Sequence, residues 1–186
     1  MGHSRALLSR MTLVLGVAIV FSIIVFNRAG SDGDEPETDA EPAIELRAGQ
    51  WYAPPALALT AVSVERVIDG DTLNVLALST LLRVRAYGFD APEAGERCSS
   101  EATARLTALT ADGVQLLADE RLQDRFSREL RYLFTPDRRS IDAAMVGEGL
   151  ARAWTQDGAL RDALVAIEDE ARSERRGCLW AEGEAR

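Results

Sequence analysis

Ala61-Val62-Ser63-Val64-Glu65-Arg66-Val67, Thr72-Leu73-Asn74-Val75-Leu76-Ala77-Leu78 and Leu81-Leu82-Arg83-Val84-Arg85-Ala86-Tyr87-Gly88-Phe89 follow one another with only short polar breaks between them. Their branched and apolar residues alternate in part with polar ones, the pattern of strands that turn one face to a core. Asp69-Gly70 and Ser79-Thr80 have the chemistry of tight turns, so the segment from Leu59 to Phe89 predicts an antiparallel meander of three strands. Val114 to Ala118 and Arg128 to Phe134 read as two more. A helix is expected from Ser99 or Ser100 through the Ala- and Leu-rich run to Ala111, ended by Asp112-Gly113. Ser140 can cap a second helix carrying Ile141, Ala144 and Met145, with Leu150 following Gly147 and Gly149. A third, from about Asp157 to Arg175, places Leu160, Leu164, Ile167 and Ala171 on one face, which reads as core packing; Leu179 and Trp180 then anchor the end of the chain. The expected fold class is α+β, mainly β: a five-stranded Greek-key barrel of the OB type with three helices, spanning residues 57–183 and preceded by an N-terminal transmembrane helix.

Working outward from that domain, residues 30–56 form a linker whose stretch Gly30 to Glu45 carries Asp32, Asp34, Glu35, Glu37, Asp39, Glu41 and Glu45 with Pro36 and Pro42 and almost nothing apolar. Like charges repel and no core can form, so an extended tether is expected. Gln50 to Pro55 is a lead-in whose Trp51 and Tyr52 could pack on the domain. Residues 1–29 hold an uncharged run, Met11 to Phe26, preceded by Arg5 and Arg10 and closed by Asn27 and Arg28. Its length suits a short spanning helix or a long signal-peptide core, and Asn27-Arg28-Ala29 makes a poor small-x-small cleavage site. An uncleaved anchor is therefore favoured over a removed signal. The leading positive charge puts the N-terminus in the cytoplasm and the domain outside, periplasmic or at the cell surface, or secreted if the segment is cleaved.

Cys98 and Cys178 are the only cysteines, 80 positions apart, in a domain placed by this reading in an oxidising compartment. A disulfide is the simplest use for them, worth about 4 to 5 kcal/mol on the chain-entropy model. Two independent buried thiols are the alternative.

Composition excludes much of catalytic chemistry. The only histidine is His3, and all 21 basic residues are arginine. Histidine-activated nucleophiles, lysine Schiff bases and histidine zinc sites therefore have no residues to work with in the body of the chain. Carboxylates remain as acid/base groups and arginines as charge stabilisers. Asp69 and Asp71 stand two apart at a strand start, where pleating would turn both side chains to one face. Asp90 and Glu93 follow the end of the third strand, which can pair with the second, so the four acids can converge at one rim of the barrel. Such a cluster needs a cation, and oxygen-only ligands favour calcium or magnesium. Arg85 leaves the same strand five residues before Asp90, and a phosphate could bridge that ion and an arginine fork.

Taken alone, Asp-Gly-Asp is a common turn and each of the other pieces has an equally plain structural use. In combination, Val67-Ile68-Asp69-Gly70-Asp71-Thr72-Leu73, Arg85-Ala86-Tyr87-Gly88-Phe89-Asp90-Ala91-Pro92-Glu93, Asp124-Arg125-Phe126-Ser127-Arg128 and Gly149-Leu150-Ala151 resemble the thermonuclease family, over about residues 59–181. The resemblance implies a nuclease that uses calcium and cleaves the bond to the 5' oxygen of DNA or RNA, leaving 3'-phosphates. By position, Asp71 and Asp90 would ligate the ion through their side chains and Ala91 through its carbonyl, with Asp69 one layer further out. Glu93 would be the base that activates water, Arg85 and Arg128 the phosphate-binding pair, and Arg125 a contact to a terminal phosphate. The partners implied are a nucleic-acid substrate and the membrane, with the chain acting as a monomer.

Departures from the family pattern concern the substrate. Phe126-Ser127 replaces the common Tyr-Gly, and in the stretch Arg152 to Asp157 only Trp154 could stack on a base. From Arg47 onward there are 18 arginines against 23 acids, where a nucleic-acid binder is usually basic. Weak, salt-sensitive substrate binding is expected. The alternative function is a membrane-tethered OB module that binds nucleic acid with little catalysis; retention of all four acids and both arginines favours the enzyme.

Overall fold

The three-strand meander forms because each strand has one apolar face to bury. In the computed structural model, which describes residues 51–181, β1 (Thr60–Val67), β2 (Thr72–Ala77) and β3 (Thr80–Ala86) pair antiparallel in sequence order. Leu73, Val75 and Val84 are fully buried, and a register shift between Val64 and Arg66 bends β1 so that it can serve two neighbours. The transmembrane helix expected over 1–29, the tether over 30–50 and the last residues of the expected domain, 182–183, lie outside the described residues. Among the described residues no helix is long and apolar enough to cross a membrane.

After β3 come a two-residue strand β4 (Phe89–Asp90), helix α1 (Ser99–Leu109), β5 (Val114–Leu117), β6 (Glu129–Phe134), α2 (Ile141–Gly147), β7 (Arg152–Ala153), α3 (Arg161–Ser173) and the single turn α4 (Gly177–Trp180). The barrel closes in the order β1-β2-β3-β6-β5, with β3 parallel to β6 and every other pair antiparallel. The five-stranded barrel with helices expected from the sequence is therefore present. The two-residue pair β4–β7 and the fourth helix are additions to it.

The third strand stops at Ala86 rather than Phe89 because a side chain intercepts the ladder. Asp142 in α2 is fully buried and accepts the backbone N–H of Gly88 at 2.9 Å and of Leu133 at 2.7 Å. The Gly88 N–H is thereby taken out of strand pairing, while its carbonyl accepts from the Trp154 N–H at 2.9 Å beside the pair that Phe89–Asp90 makes with Ala153–Arg152. Helix α2 carries this acid because Ser140 caps it, its hydroxyl accepting from the Ala143 N–H, and because all seven helical residues are buried against the barrel. Helix α1 is begun by Cys98 in a left-handed conformation with no side-chain cap, where the sequence suggested Ser99 or Ser100. Gly158 at φ +103 delays α3 to Arg161, after the expected start at Asp157.

Burial pushes the Asp142 carboxyl up to about 7, against the pull of the Leu133 and Gly88 N–H groups. Its folded value lies above the unfolded one of about 3.9, so its contribution to stability is full below that pH and is lost as pH rises through 7. Urea unfolding at pH 5 and pH 8 checks this: the stability of the wild type relative to Asp142→Asn should fall between the two. Asp142→Ala, which orphans two buried donors, should cost about 2–5 kcal/mol at either pH.

Residues 51–56, placed in the linker by composition, are docked. The Trp51 carbonyl accepts from the Ser140 N–H at 2.6 Å, and the Ala53 N–H donates to the Arg138 carbonyl at 2.9 Å. At the other end, Gly149 sits at φ +69 where an added Cβ would lie 2.0 Å from the Arg176 carbonyl oxygen. This backbone approach lets the Gly149 carbonyl accept from Leu179 and seats α4, with Trp180 buried, against the turn after α2 and against α3, so the anchor suggested by the sequence packs on helices.

Candidate active site

The turn between β1 and β2 carries the first acidic pair. Asp69 and Asp71 do not share the face of a strand, as pleating would require, because β1 ends at Val67 and β2 begins at Thr72. Asp69 lies in the turn itself, where its carboxylate accepts the Asp71 N–H at 3.1 Å. Gly70 is needed at the apex: a Cβ there would meet the Ala91 Cβ at 2.6 Å. That close approach brings the second acidic motif, Asp90 to Glu93, against the first.

Asp71 points into the junction and is almost wholly buried. Its carboxylate accepts from the Thr72 hydroxyl at 2.9 Å, the Ala91 N–H at 3.0 Å and Arg85 Nη1 at 2.9 Å. Burial raises its pKa to about 6, opposed by the Arg85 charge and the Ala91 N–H and reinforced by the Asp69 charge. Arg85, cross-strand from Thr72, is also buried and is held through two nitrogens of its planar fork: Nη1 reaches Asp71 and the Phe89 carbonyl, and Nη2 reaches Asp90 Oδ1 at 2.5 Å. One guanidinium thus joins acids from both motifs.

Arg128 enters from the other side through the turn Asp124–Arg128. Asp124 accepts the N–H groups of Phe126 and Arg128 and the Arg128 Nε at 2.7 Å. Although partial burial opposes it, these hydrogen bonds hold the Asp124 carboxyl below its ordinary range. Ser127 adopts φ +59 in this turn, a conformation that costs a non-glycine residue about 1–2 kcal/mol, so the turn keeps the shape that glycine would favour. Arg128 Nη1 donates to the Thr72 hydroxyl, which itself donates to Asp71, so the second arginine is linked to the acidic cluster. The exposed ring of Phe126 lies beneath both Arg125 (4.7 Å) and Arg128 (5.6 Å) and orients the two guanidiniums.

These groups face a groove of about 550 Å³ whose walls include Arg85, Arg125, Arg128, Asp90 and Glu93. Glu93 is exposed at its edge; its backbone N–H is held by Glu96, and among the described residues its carboxylate takes no hydrogen bond. Motif reading missed Arg121, which stands over the rings of Tyr87 (5.2 Å) and Trp154 (5.8 Å) and pairs with Asp157 at 2.8 Å. Trp154 is half-buried beneath it, with its indole N–H on Asp157. Only proximity in the fold connects Arg121 with the site; no spacing in the sequence does.

Cys98 and Cys178 form a disulfide that ties the start of α1 to α4. The loop from Asp90 to Arg97 is therefore pinned from behind.

The four-carboxylate cluster expected from the sequence is looser than the motifs suggest: among the described residues, no three acidic, cysteine or histidine side chains gather as a metal-binding group. Asp71 and Asp90 nevertheless share one cationic partner, and Asp71 is a buried carboxylate whose ionised form burial disfavours. An all-oxygen donor set of this kind suits a hard dication such as calcium.

A family model described as staphylococcal nuclease homologue matches residues 83–182. The chain is 36% identical over 140 residues to a micrococcal nuclease of Shigella flexneri, covering 70% of this chain and 79% of that protein. It is 31% identical over 122 residues to an uncharacterized endonuclease of Escherichia coli, covering 65% and 77%. To a thermonuclease of Staphylococcus intermedius it is 30% identical over 148 residues, covering 76% and 77%.

Proposed function

Because the chain belongs to the family of staphylococcal nuclease homologues, we propose that it is a nuclease, and more closely a calcium-dependent, extracytoplasmic endonuclease of DNA or RNA that leaves 3'-phosphate ends. The observation that carries this reading is the Arg85 guanidinium held between Asp71 and Asp90 at the wall of a groove that also presents Arg128 and Glu93.

In this reading Asp71 and Asp90, with the Ala91 carbonyl, hold the ion, and Asp69 supports them by fixing the turn. A bound calcium would supply charge neutralisation to a phosphoryl oxygen and bring water beside it. The residues of the chain do the rest. Arg85 and Arg128 donate to the nonbridging oxygens of the scissile phosphate, where negative charge builds in the transition state. Glu93 accepts a proton from the attacking water; the water oxygen bonds to phosphorus, the bond to the 5' oxygen breaks, and that oxygen leaves with the electron pair and is protonated by solvent. Arg125 contacts a terminal phosphate.

The extracytoplasmic assignment draws on the apolar run Met11 to Phe26 and on the disulfide, which suits an oxidising compartment. Tethered there, the chain would act as a monomer. Incubation of the full-length chain with single-stranded DNA, in calcium or in excess chelator, tests the metal requirement. Cleavage in calcium and none in chelator is expected; cleavage that survives the chelator would contradict it.

A further inference from the structure

We propose that a second groove, opening on the other side of the two site acids, carries the substrate strand past the scissile phosphate, with Arg152 as its phosphate contact. This rests on the nuclease reading and extends it to the course of the polymer.

The groove has a volume of about 490 Å³ and is formed by the loop from Asp90 to Arg97 on one wall and Leu179 and Trp180 on the other, with Arg152 between them. Asp90 and Glu93 line both this groove and the arginine-walled one, so a strand lying across them has a place on each side. Arg152 is set by backbone register, directly opposite Asp90 in the β4–β7 pair. Its guanidinium lies 4.9 Å over the ring of Trp180, whose ring also carries Arg172 at 4.6 Å. Stacking on an aromatic face orients a guanidinium while leaving its N–H donors unused.

Those donors are unspent here. Arg85, Arg121 and Arg128 each pair with an acid, whereas Arg125 in the first groove and Arg152 in the second pair with none among the described residues. One unpaired guanidinium on each side of the acids is what a strand with a phosphate at every nucleotide would use. The acids Asp90, Glu93 and Glu96 line the groove together with two arginines, Arg97 and Arg152, and of these Arg152 is the one seated opposite Asp90, where a phosphate beside the site would need positive charge. Its walls are also fixed to each other: the Cys98–Cys178 disulfide joins them, and Arg97 donates to the Cys178 carbonyl. A groove open along the strand on both sides of the acids favours cleavage within a chain over trimming from an end.

The test compares single-stranded DNA substrates that do and do not reach the second groove, using the full-length chain in calcium. A dinucleotide has one phosphodiester and cannot place a neighbouring phosphate on Arg152; a hexanucleotide can. Arg152→Gln is expected to lower kcat/KM for the hexanucleotide severalfold more than for the dinucleotide, with the difference in KM. The slope of log KM for the hexanucleotide against log salt should fall by about 0.7, the counterion release of one phosphate on a single strand. Arg152→Lys should regain most of both effects. Equal losses on the two substrates, or an unchanged salt slope, would overturn the inference while leaving the nuclease reading standing. Failure of the wild type to cleave either substrate would overturn the nuclease reading and this inference with it.

Discussion

Arg85→Ala is expected to lower kcat by about two to three orders of magnitude, the usual cost of one preorganised donor aimed at developing charge. The expectation follows from its position: a buried guanidinium, fixed by the Phe89 carbonyl and by two acids, reorganises little when a phosphate arrives. Arg85→Lys should recover only a small part, because an ammonium cannot span Asp71 and Asp90 as a planar fork does. Removing the guanidinium also leaves Asp71 buried without its counter-charge, so the variant should unfold at lower urea in the absence of calcium. Initial rates on single-stranded DNA, with urea melts alongside, separate the two effects. A variant that keeps within about tenfold of wild-type kcat would remove Arg85 from the transition state.

The largest stability effect should come from the disulfide. Replacing both Cys98 and Cys178 by serine opens a loop of sequence separation 80, which the chain-entropy model values at about 4 to 5 kcal/mol. The urea midpoint should fall accordingly, and a reductant should shift the wild type by the same amount while leaving the double variant unmoved. Because the bond holds α4 behind the loop that carries Glu93, the reduced protein should also lose activity below its melting transition. A wild-type midpoint indifferent to reductant would remove the stabilising role.

Much of the barrel was legible because it is written in periodicity. The partial alternation in Ala61 to Val67 and in Leu81 to Phe89 and the branched apolar run Thr72 to Leu78 mark strands, and Asp69-Gly70 and Ser79-Thr80 mark the turns between them. Strands β4 and β7 left no such trace, since two residues cannot display a period. Asp142 reads in sequence as an ordinary acid in the first turn of a helix; its reach to Gly88, 54 residues earlier, exists only in the fold. Packing of Trp51 was legible as an aromatic in the lead-in, whereas Tyr52 beside it stays exposed and the backbone bonds that dock the segment, to Ser140 and Arg138, leave no trace in the sequence.

The site divides along the same line. Arg85, Asp71 and Asp90 lie on short motifs whose spacing survives into geometry, because a turn glycine and a strand pair fix them. Asp69 was placed on a strand face because the motif abuts one, but the turn uses its carboxylate for the backbone. Arg121 and Arg152 belong to no motif. Each gains its place from an aromatic ring brought up by another part of the chain, Tyr87 and Trp154 for the first and Trp180 for the second.

The central claim is that this constellation cleaves phosphodiesters with Glu93 as the base. Its most direct test is to map the product ends of an end-labelled single-stranded DNA in calcium, for wild type and for Glu93→Ser shown by urea melting to be folded. The account predicts 3'-phosphate ends from the wild type, at a rate that falls by orders of magnitude in the variant. Products ending in 3'-hydroxyl, or a folded Glu93→Ser variant as active as the wild type, would contradict it.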